Sequence, residues 1–233
     1  EGEEAIGSNV VEVATTEELH DVLDAAAAAG VEVMLQEKVN IATGKDRSLA
    51  SYVPAEGEPL AVVGNAAVRF PLEFGTSCLV ETVDAPEIET RALSVIEDAD
   101  YHGISESEFV YDAEREEYVL LDINTRPWKW ISLPVSVGAN LPYAAYADVV
   151  GEEFEPGELD DGRWVYLRDY LTLLGTAEAF WDVLDTEDWT SLVSGGFEAG
   201  GDLTTGVYRP SDPAPTAQLL DTEFTDREYY CSC

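Results

Sequence analysis

Basic side chains are scarce in this sequence of 233 residues. It contains 12 lysines and arginines against 48 acidic residues, which gives a formal net charge of −36. Nucleic-acid recognition depends on clustered lysine and arginine that displace counterions from phosphates, and anionic membrane surfaces attract basic segments. The charge balance therefore excludes nucleic acids and anionic membranes as partners.

Cysteines and long apolar runs are also scarce. Three cysteines are an odd number for a disulfide scaffold, and neither they nor the two histidines have the paired spacing of a metal site. No apolar run approaches the roughly 20 residues of a membrane span, and no secretory signal precedes the first segment. We therefore expect a cytoplasmic protein with reduced thiols.

The acidic residues are spread along the chain rather than collected in a tail. Because 45% of the residues are hydrophobic and 10% are aromatic, the composition is that of an ordinary globular protein. We interpret the excess acid as a solvated shell adapted to a salt-rich cytoplasm, where the Debye length falls to about 3 Å at 1 M salt. The alternative is an acidic protein from a low-salt cell.

The first forty residues predict a strand, a helix and a second strand. Residues 10–14 and 31–35 have the apolar character of short strands. Between them Thr15 and Glu18 form a capping box, and the helix ends at Gly30, a typical residue after a helix C-terminus.

The rest of the chain predicts further helices and strands, with weaker turn and capping signals between them. Residues 40–58 are polar and indicate a loop or weak hairpin, and residues 60–70 indicate a strand interrupted at Gly64-Asn65. Asp84 is placed to cap a helix with an apolar stripe at Ile88, Ala92, Val95 and Ile96. Two helices are predicted over 163–174 and 177–185, and the last forty residues are predicted to be irregular.

Two strands, 104–111 and 118–124, are separated by a charged loop that predicts a hairpin. If the loop spans residues 113–117, antiparallel pairing sets Glu108 opposite Asp122. Asn124 then lies one diagonal step away and Arg126 lies just past the strand end, while Glu106 shares the face of Glu108.

Two opposed carboxylates repel each other unless a cation lies between them. Magnesium is commonly held by carboxylate and amide oxygens together with substrate phosphates, and an arginine beside it suits phosphate recognition. The residue pattern alone leaves two interpretations open, a magnesium–phosphate site and a solvated face of an acidic hairpin.

Five segments, in a consistent order between residue 10 and about residue 215, resemble the ATP-grasp carboxylate–amine ligases. They are residues 35–39 (LQEKV), 69–76 (RFPLEFGT), 101–109 (YHGISESEF), 121–128 (LDINTRPW) and 138–143 (GANLPY). The resemblance implies an α+β protein with the ATP-grasp fold, in which a small strand–helix–strand subdomain accompanies a larger antiparallel sheet with helices. It divides the chain into a partial small subdomain with the adenine hinge (1–58), a catalytic subdomain (59–150) and a C-terminal helical and irregular extension (151–233).

The same resemblance implies roles for individual residues. It assigns two metal carboxylates and an amide ligand that together hold two Mg²⁺ ions, namely Glu108, Asp122 and Asn124. It assigns Arg126, with Asn124, to the transferring phosphate and Arg69 to the neighbourhood of the phosphates. Backbone groups of the adenine hinge would bind ATP through Gln36, Glu37, Lys38 and Val39.

These roles imply an ATP- and Mg-dependent ligase that joins a small-molecule carboxylate to an amine through an acyl phosphate. Residues 7–10 contain no lysine where the family has one, and Asp122 replaces a usual glutamate. Further family segments would lie upstream of Glu1, where we expect additional sequence. The alternatives are a degenerate ATP-grasp module that binds nucleotide or a partner without turnover, and a metal-dependent hydrolase that uses the hairpin carboxylates.

Three aromatic residues near the hairpin have two interpretations. Trp128, Trp130 and Tyr143 could line an acceptor pocket or pack at the junction with the C-terminal helices. We favour packing.

Overall fold

The computed structural model of the chain describes residues 10–72 and 75–223. The chain divides between Ile41 and Ala42 into two compact units. The predicted segment around Glu73 and Phe74, the residues before Val10 and the Cys231 and Cys233 tail lie outside the described residues.

The smaller unit is built around helix α1, Thr16–Ala29. The predicted capping box is confirmed, because the Thr15 side chain accepts from the backbone N–H of Glu18 at 3.2 Å and Glu18 Oε2 accepts from the backbone N–H of Thr15 at 3.2 Å. Gly30 follows the helix in the left-handed conformation with φ of 69°. Both signals act within four residues, so the sequence could predict them.

The prediction of a strand on each side of this helix is wrong. Residues 10–14 and 31–35 have no regular secondary structure. Their apolar side chains are largely exposed, with Met34 at 84% and Leu35 at 61%. A strand requires a hydrogen-bonded neighbour, and residues 10–41 contain no strand that could supply one.

The larger unit contains a seven-stranded sheet with the order β5-β4-β1-β2-β3-β6-β7. Neighbouring strands are antiparallel except β6 and β7, which are parallel. The strands are β1 (Arg47–Val53), β2 (Leu60–Phe70), β3 (Thr76–Thr82), β4 (Gly103–Asp112), β5 (Glu117–Asn124), β6 (Arg163–Val165) and β7 (Leu203–Thr205).

Helices follow β3 and the β4–β5 hairpin. They are α2 (Pro86–Asp98), α3 (Ser132–Ser136), α4 (Leu141–Val150), α5 (Leu167–Leu174), α6 (Thr186–Ser194) and α7 (Ala214–Glu223). Two 3-10 turns, Glu178–Asp182 and Gly196–Ala199, lie among the C-terminal helices.

The central strands bury both faces of the sheet. On one face, α2 packs its Ile88 and Ala92 against Leu49, Val63 and Phe109, and we call this the helix face. The other face carries Glu106 and Glu108 and is called the site face here. Its apolar part is covered by side chains from the segment after β5 and from α3 and α4, including Trp130, Leu133 and Leu141.

Strand β1 corrects the prediction of a loop or weak hairpin over residues 40–58. It is paired on both sides, with β2 and β4, and Leu49 and Ala50 have no exposed surface. Two serines interrupt the apolar residues of this segment, and the buried Ser51 hydroxyl forms a 3.0 Å hydrogen bond with Ser105 Oγ. A serine that bonds across the sheet can be buried although it is polar, which is why the segment resembles a loop in the sequence.

Strand β2 runs through Gly64-Asn65 without the predicted interruption. Asn65 bridges two neighbours, since its Oδ1 accepts from Arg47 at 2.5 Å and its Nδ2 donates to Glu81 Oε1 at 2.9 Å. Cross-strand bonding therefore outweighs the low strand preference of glycine and asparagine. The irregularity of β2 lies further on, with register shifts between Ala66 and Arg69.

The predicted helix after Asp84 is present, but its start differs. Ala85 is the N-cap without a side-chain hydrogen bond, and Pro86 is the first helical residue. Proline supplies the preset φ of a first helical turn, so no capping side chain is needed. Ile88, Ala92 and Ile96 are buried as predicted, whereas Val95 is 38% exposed.

The C-terminal region differs from the prediction, and the last forty residues, predicted to be irregular, contain β7 and α7. Residues 163–165 form β6 rather than the start of a helix, which begins at Leu167, and residues 177–185 contain only a 3-10 turn. Strand β7 joins the sheet at its edge beside β6. Arg163 donates bidentately to Asp188 at 2.6 and 2.8 Å and also contacts Asp202, which holds this corner together.

Candidate functional site

The β4–β5 hairpin has the register that the alternation of its side chains predicts. Glu108 pairs with Asp122, and Glu106 pairs with Asn124. Directly opposed residues in an antiparallel pair present their side chains on the same face. All four side chains therefore belong to the site face, at the edge of the sheet.

A β-bulge makes this register possible. The connecting loop spans residues 113–116, one residue fewer than predicted, and Asp112 Oδ1 stabilises it by accepting from the backbone N–H of Glu114 at 2.8 Å. A register shift follows between Phe109 and Glu108, where Leu121 is the extra residue of β5. The shorter loop and the bulge compensate, so Glu108 still faces Asp122.

Arg69 joins the hairpin to the beginning of β1. Its Nε donates to Asp46 Oδ2 at 2.7 Å, one terminal nitrogen donates to the carbonyl oxygen of Gly75 at 3.1 Å, and the other lies 3.5 Å from Glu108 Oε2. Asp46 is buried, and its second oxygen, Oδ1, has no hydrogen-bond partner. Burial acts to lower the pKa of Arg69, but the charges of Asp46 and Glu108 outweigh it and raise the pKa above its usual range.

Glu106 is deeply buried on the site face, with 4% of its surface exposed. Its Oε1 accepts a 2.7 Å hydrogen bond from the indole Nε1 of Trp130. Burial, followed by the nearby charge of Glu108, raises the pKa of Glu106 to about 8, while the Trp130 bond and the charges of Arg69 and Arg126 act in the opposite direction.

Asn124 connects the two glutamates. Its Nδ2 donates to Glu108 Oε1 at 3.2 Å and to Glu106 Oε2 at 3.4 Å. Its side-chain amide therefore turns the nitrogen towards both carboxylates. This orientation is the one expected for an amide that neutralises part of the repulsion between neighbouring acids.

The remaining predicted residues lie in different surroundings. Arg126 is exposed just after β5, where one terminal nitrogen donates to the carbonyl oxygen of Pro127 at 3.3 Å. Gln36, Glu37, Lys38 and Val39 belong to the smaller unit and lie outside any helix or strand. There, Lys38 forms a 2.6 Å ion pair with Glu12.

The donor chemistry of the hairpin fits a hard cation that also binds phosphate. Within residues 10–72 and 75–223, no three His, Cys, Asp or Glu side chains are grouped so as to hold a metal ion. The set formed by Glu108, Asp122 and Asn124 instead provides two carboxylates and one amide. Magnesium keeps water and phosphate ligands and needs only one or two protein carboxylates. These three side chains therefore provide the types of ligand that a magnesium ion requires from the protein.

Sequence reasoning missed several residues that support the site. Glu106 could be placed on the face of Glu108 by alternation, but its bond to Trp130 joins residues 24 apart and has no local signal. Asp46, 23 residues from Arg69, also lacks such a signal. Trp128 and Trp130 pack in the core as we favoured, whereas Tyr143 is 45% exposed on α4.

Comparison with known proteins shows the fold of the chain. Neither a family model nor a curated protein matches the sequence. Among solved structures, the biotin carboxylase–β,γ-ATP complex from Campylobacter jejuni matches with a TM-score of 0.50 and 16% identity, over 65% of this chain and 36% of the carboxylase. The chain thus spans little more than a third of the length of that protein.

Two further structures match less well. The biotin carboxylase domain dimer of 2-oxoglutarate carboxylase from Hydrogenobacter thermophilus, a complex with MgADP, ADP and bicarbonate, has a TM-score of 0.48 and 15% identity, over 63% of this chain and 34% of that one. N5-carboxyaminoimidazole ribonucleotide synthetase from Thermotoga maritima has a TM-score of 0.44 and 13% identity, over 65% and 39%.

The chain has the ATP-grasp fold, as its sequence motifs predicted. The mixed α/β architecture with an antiparallel sheet agrees with the expected fold class. In the described residues, no helix is long and apolar enough to span a membrane.

Proposed function

We propose that this protein binds ATP with Mg²⁺ and joins a small-molecule carboxylate to an amine through an acyl phosphate. The observation that carries the proposal is the pairing of Glu108 with Asp122 across the hairpin, with Asn124 beside them and Arg69 3.5 Å from Glu108. Two further observations support the proposal. The chain has the ATP-grasp fold, and these residues lie in the sequence motifs that resemble the carboxylate–amine ligases.

In this proposal, Glu108, Asp122 and Asn124 would hold the magnesium that accompanies ATP. The metal supplies charge neutralisation of the transferring phosphoryl group when bound. Arg69 and Arg126 are two cations of the chain itself that would face the phosphates. Asp46 and the Gly75 carbonyl restrain the Arg69 guanidinium, which reduces the entropy that phosphate binding would cost.

The proposed reaction has two steps. A carboxylate oxygen of the first substrate attacks the γ-phosphorus of ATP, the bond to the bridging oxygen breaks, and ADP leaves. The amine nitrogen of the second substrate then attacks the acyl carbon, inorganic phosphate leaves with the former carboxylate oxygen, and the nitrogen loses a proton to solvent. Gln36, Glu37, Lys38 and Val39 are proposed to bind the adenine.

Binding and turnover should be measured separately on the full-length protein. Calorimetry with Mg-ATP measures affinity, and ADP release in the presence of amino-acid pairs measures turnover. We expect Asp122→Ala and Asn124→Ala to bind Mg-ATP at least about tenfold more weakly, as for loss of a ligand or its supporting partner.

A matched control lies on the same hairpin. Glu114→Ala removes an exposed acid from the connecting loop and should leave affinity unchanged at high salt, where the general effect of net charge is screened. ATP affinity that is equal in the wild type and both site variants would contradict the proposed site.

A nucleotide-binding module without turnover is the second candidate. Asp122 is exposed and one methylene shorter than the usual glutamate, so its carboxylate reaches less far from the strand. This candidate predicts binding that depends on Asp122 but no ADP with any pair of substrates. ADP release only when both a carboxylate and an amine are present would exclude it, whereas metal-dependent hydrolysis without ATP would favour the hydrolase interpretation.

A further inference from the structure

Glu106 occupies an unusual position for a carboxylate in such an acidic protein. It lies on the site face between Ala50 of β1 and Asn124 of β5 in the register of the sheet, and almost none of its surface is exposed. Buried carboxylates are rare unless they are paired or hydrogen-bonded. No basic residue in the described part of the chain forms an ion pair with Glu106 in this structure, so its contacts must explain its burial.

Each oxygen of Glu106 has a different donor. Oε1 accepts from Trp130 Nε1 at 2.7 Å, and Oε2 accepts from Asn124 Nδ2 at 3.4 Å. Trp130 is 2% exposed and is anchored in the apolar core that covers the site face. The carboxylate therefore connects a rigid core residue to a side chain at the edge of the sheet.

An asparagine amide can turn either its oxygen or its nitrogen towards a neighbour. An accepting oxygen beside it selects the nitrogen, because the amide oxygen has no proton to donate. Nδ2 is held by Glu106 Oε2 at 3.4 Å and by Glu108 Oε1 at 3.2 Å, which leaves Oδ1 as the atom of Asn124 that can face a cation. An amide that could turn freely would offer its nitrogen, a donor, for part of the time.

We propose that Glu106 is a positioning residue which, held by Trp130, fixes the side-chain amide of Asn124 for cation binding. This inference rests on the proposed function, since it assumes that Asn124 is a metal ligand. Glu106 and Trp130 are not metal ligands themselves. Through this pair, the apolar core would determine the geometry of the site.

The test uses Mn²⁺ as the probe, titrated into the full-length protein in 1 M KCl and followed by electron paramagnetic resonance with and without ADP. Asp122→Ala defines the site-specific part of the binding, because other surface acids also hold Mn²⁺ weakly. Glu106→Gln keeps an acceptor for Trp130 but places a donor beside Asn124 Nδ2. We expect it to lower the site-specific Mn²⁺ affinity by about 10-fold or more, while the melting temperature stays the same or rises.

Trp130 has a matched control in the same core. Trp164 is fully buried in the same apolar cluster, and its Nε1 also makes one hydrogen bond, to Ser132 Oγ at 3.0 Å. Trp130→Phe and Trp164→Phe should therefore both lower the melting temperature. Only Trp130→Phe should also weaken Mn²⁺ binding.

The outcomes separate the two proposals. The positioning role is overturned if Glu106→Gln binds Mn²⁺ as the wild type does, or if Trp164→Phe loses as much affinity as Trp130→Phe. Should Trp130→Phe not fold, the comparison of Glu106→Gln with the wild type decides alone. Absence of any Asp122-dependent Mn²⁺ binding in the wild type, with or without ADP, would instead refute the metal site of the proposed function.

Discussion

Asp46 and Arg69 form a largely buried ion pair, with 2.7 Å between Oδ2 of the aspartate and Nε of the arginine. Asp46 directly precedes β1 and Arg69 lies near the end of β2, and the two meet beside the paired acids of the hairpin. Arg69 thereby lies between two carboxylates, Asp46 and Glu108, in a chain with few basic residues. Its charge is compensated before any phosphate binds, which distinguishes it from the exposed Arg126.

Removing one partner of this pair should destabilise the protein. Asp46→Asn leaves the arginine without its closest anion, and we expect a loss of about 3 kcal/mol of unfolding free energy, the lower end of the range for buried pairs because Arg69 retains some solvent access. Urea denaturation in 1 M KCl measures the loss. A change below about 0.5 kcal/mol would show that the pair contributes little.

Asp188→Asn is the control for this prediction. Asp188 is also buried and pairs with Arg163, but at the corner formed by β6, β7 and α6. Both variants should lose stability, whereas only Asp46→Asn should alter Mg-ATP affinity. Equal effects of the two variants on nucleotide binding would indicate that Asp46 acts through stability alone.

Gly64 is required for the packing of Trp130 on the sheet. A Cβ at this position would lie 2.8 Å from Val80 Cγ1 and 3.1 Å from the Trp130 ring atom Cη2. Gly64→Ala should therefore destabilise the protein by about 1–3 kcal/mol, the usual cost of overpacking a core. Urea denaturation measures it. Gly175→Ala, where the new Cβ is no closer than 3.4 Å to a neighbour, should change stability by less than about 0.5 kcal/mol.

Salt should stabilise this protein. A net charge of −36 on one chain creates strong self-repulsion, and raising KCl from 0.1 to 2 M shortens the Debye length from about 10 Å to below about 3 Å. The melting temperature measured by circular dichroism should rise across this range. Sucrose at equal osmolality is the control because it does not screen charge, and a melting temperature independent of KCl would refute the proposed adaptation to salt.

Cys78 should be unreactive in the folded protein. Burial, together with the charge of Asp169, raises the pKa of its thiol to about 12, although Lys129 acts in the opposite direction. In a Cys231→Ser/Cys233→Ser variant, iodoacetamide should modify Cys78 at pH 8 only after unfolding in urea. The ordinary pKa of a cysteine thiol is 9.0, so between pH 9 and 12 the folded protein keeps the Cys78 proton that the unfolded chain loses. The free energy of unfolding should therefore fall as the pH rises from 9 towards 12. Rapid labelling of the folded protein at pH 8 would contradict this assignment.

Local signals predicted local structure well. The Thr15–Glu18 capping box and the buried stripe of α2 depend on residues within one or two turns, so no tertiary information was needed. Strand β1 was missed because one of its serines, Ser51, is buried through a bond to Ser105 of β4, more than fifty residues away. A pattern of polarity along the chain cannot show that a polar group will be hydrogen-bonded inside the sheet.

The candidate site was only partly predictable for the same reason. Alternation placed Glu108 opposite Asp122, but two differences cancelled, a loop shorter by one residue and an extra residue at Leu121. Asp46 and Trp130 act through contacts between distant segments, so neither residue carries a signal of its own in the sequence.

The bulge at Leu121 has a consequence for how the gene can change. Leu120 packs beneath α2 on the helix face, and Asp122, only two residues later, lies on the opposite face. In a regular strand these two residues would share a face. Deletion of Leu121 would place Asp122 directly after Leu120 in a regular strand, so Asp122 and Asn124 would stay on the site face. If Leu121 were instead paired in a regular strand, every proposed ligand would be conserved but Asp122 and Asn124 would turn towards the helix face. The face that these ligands occupy therefore depends on the bulge as well as on their identity.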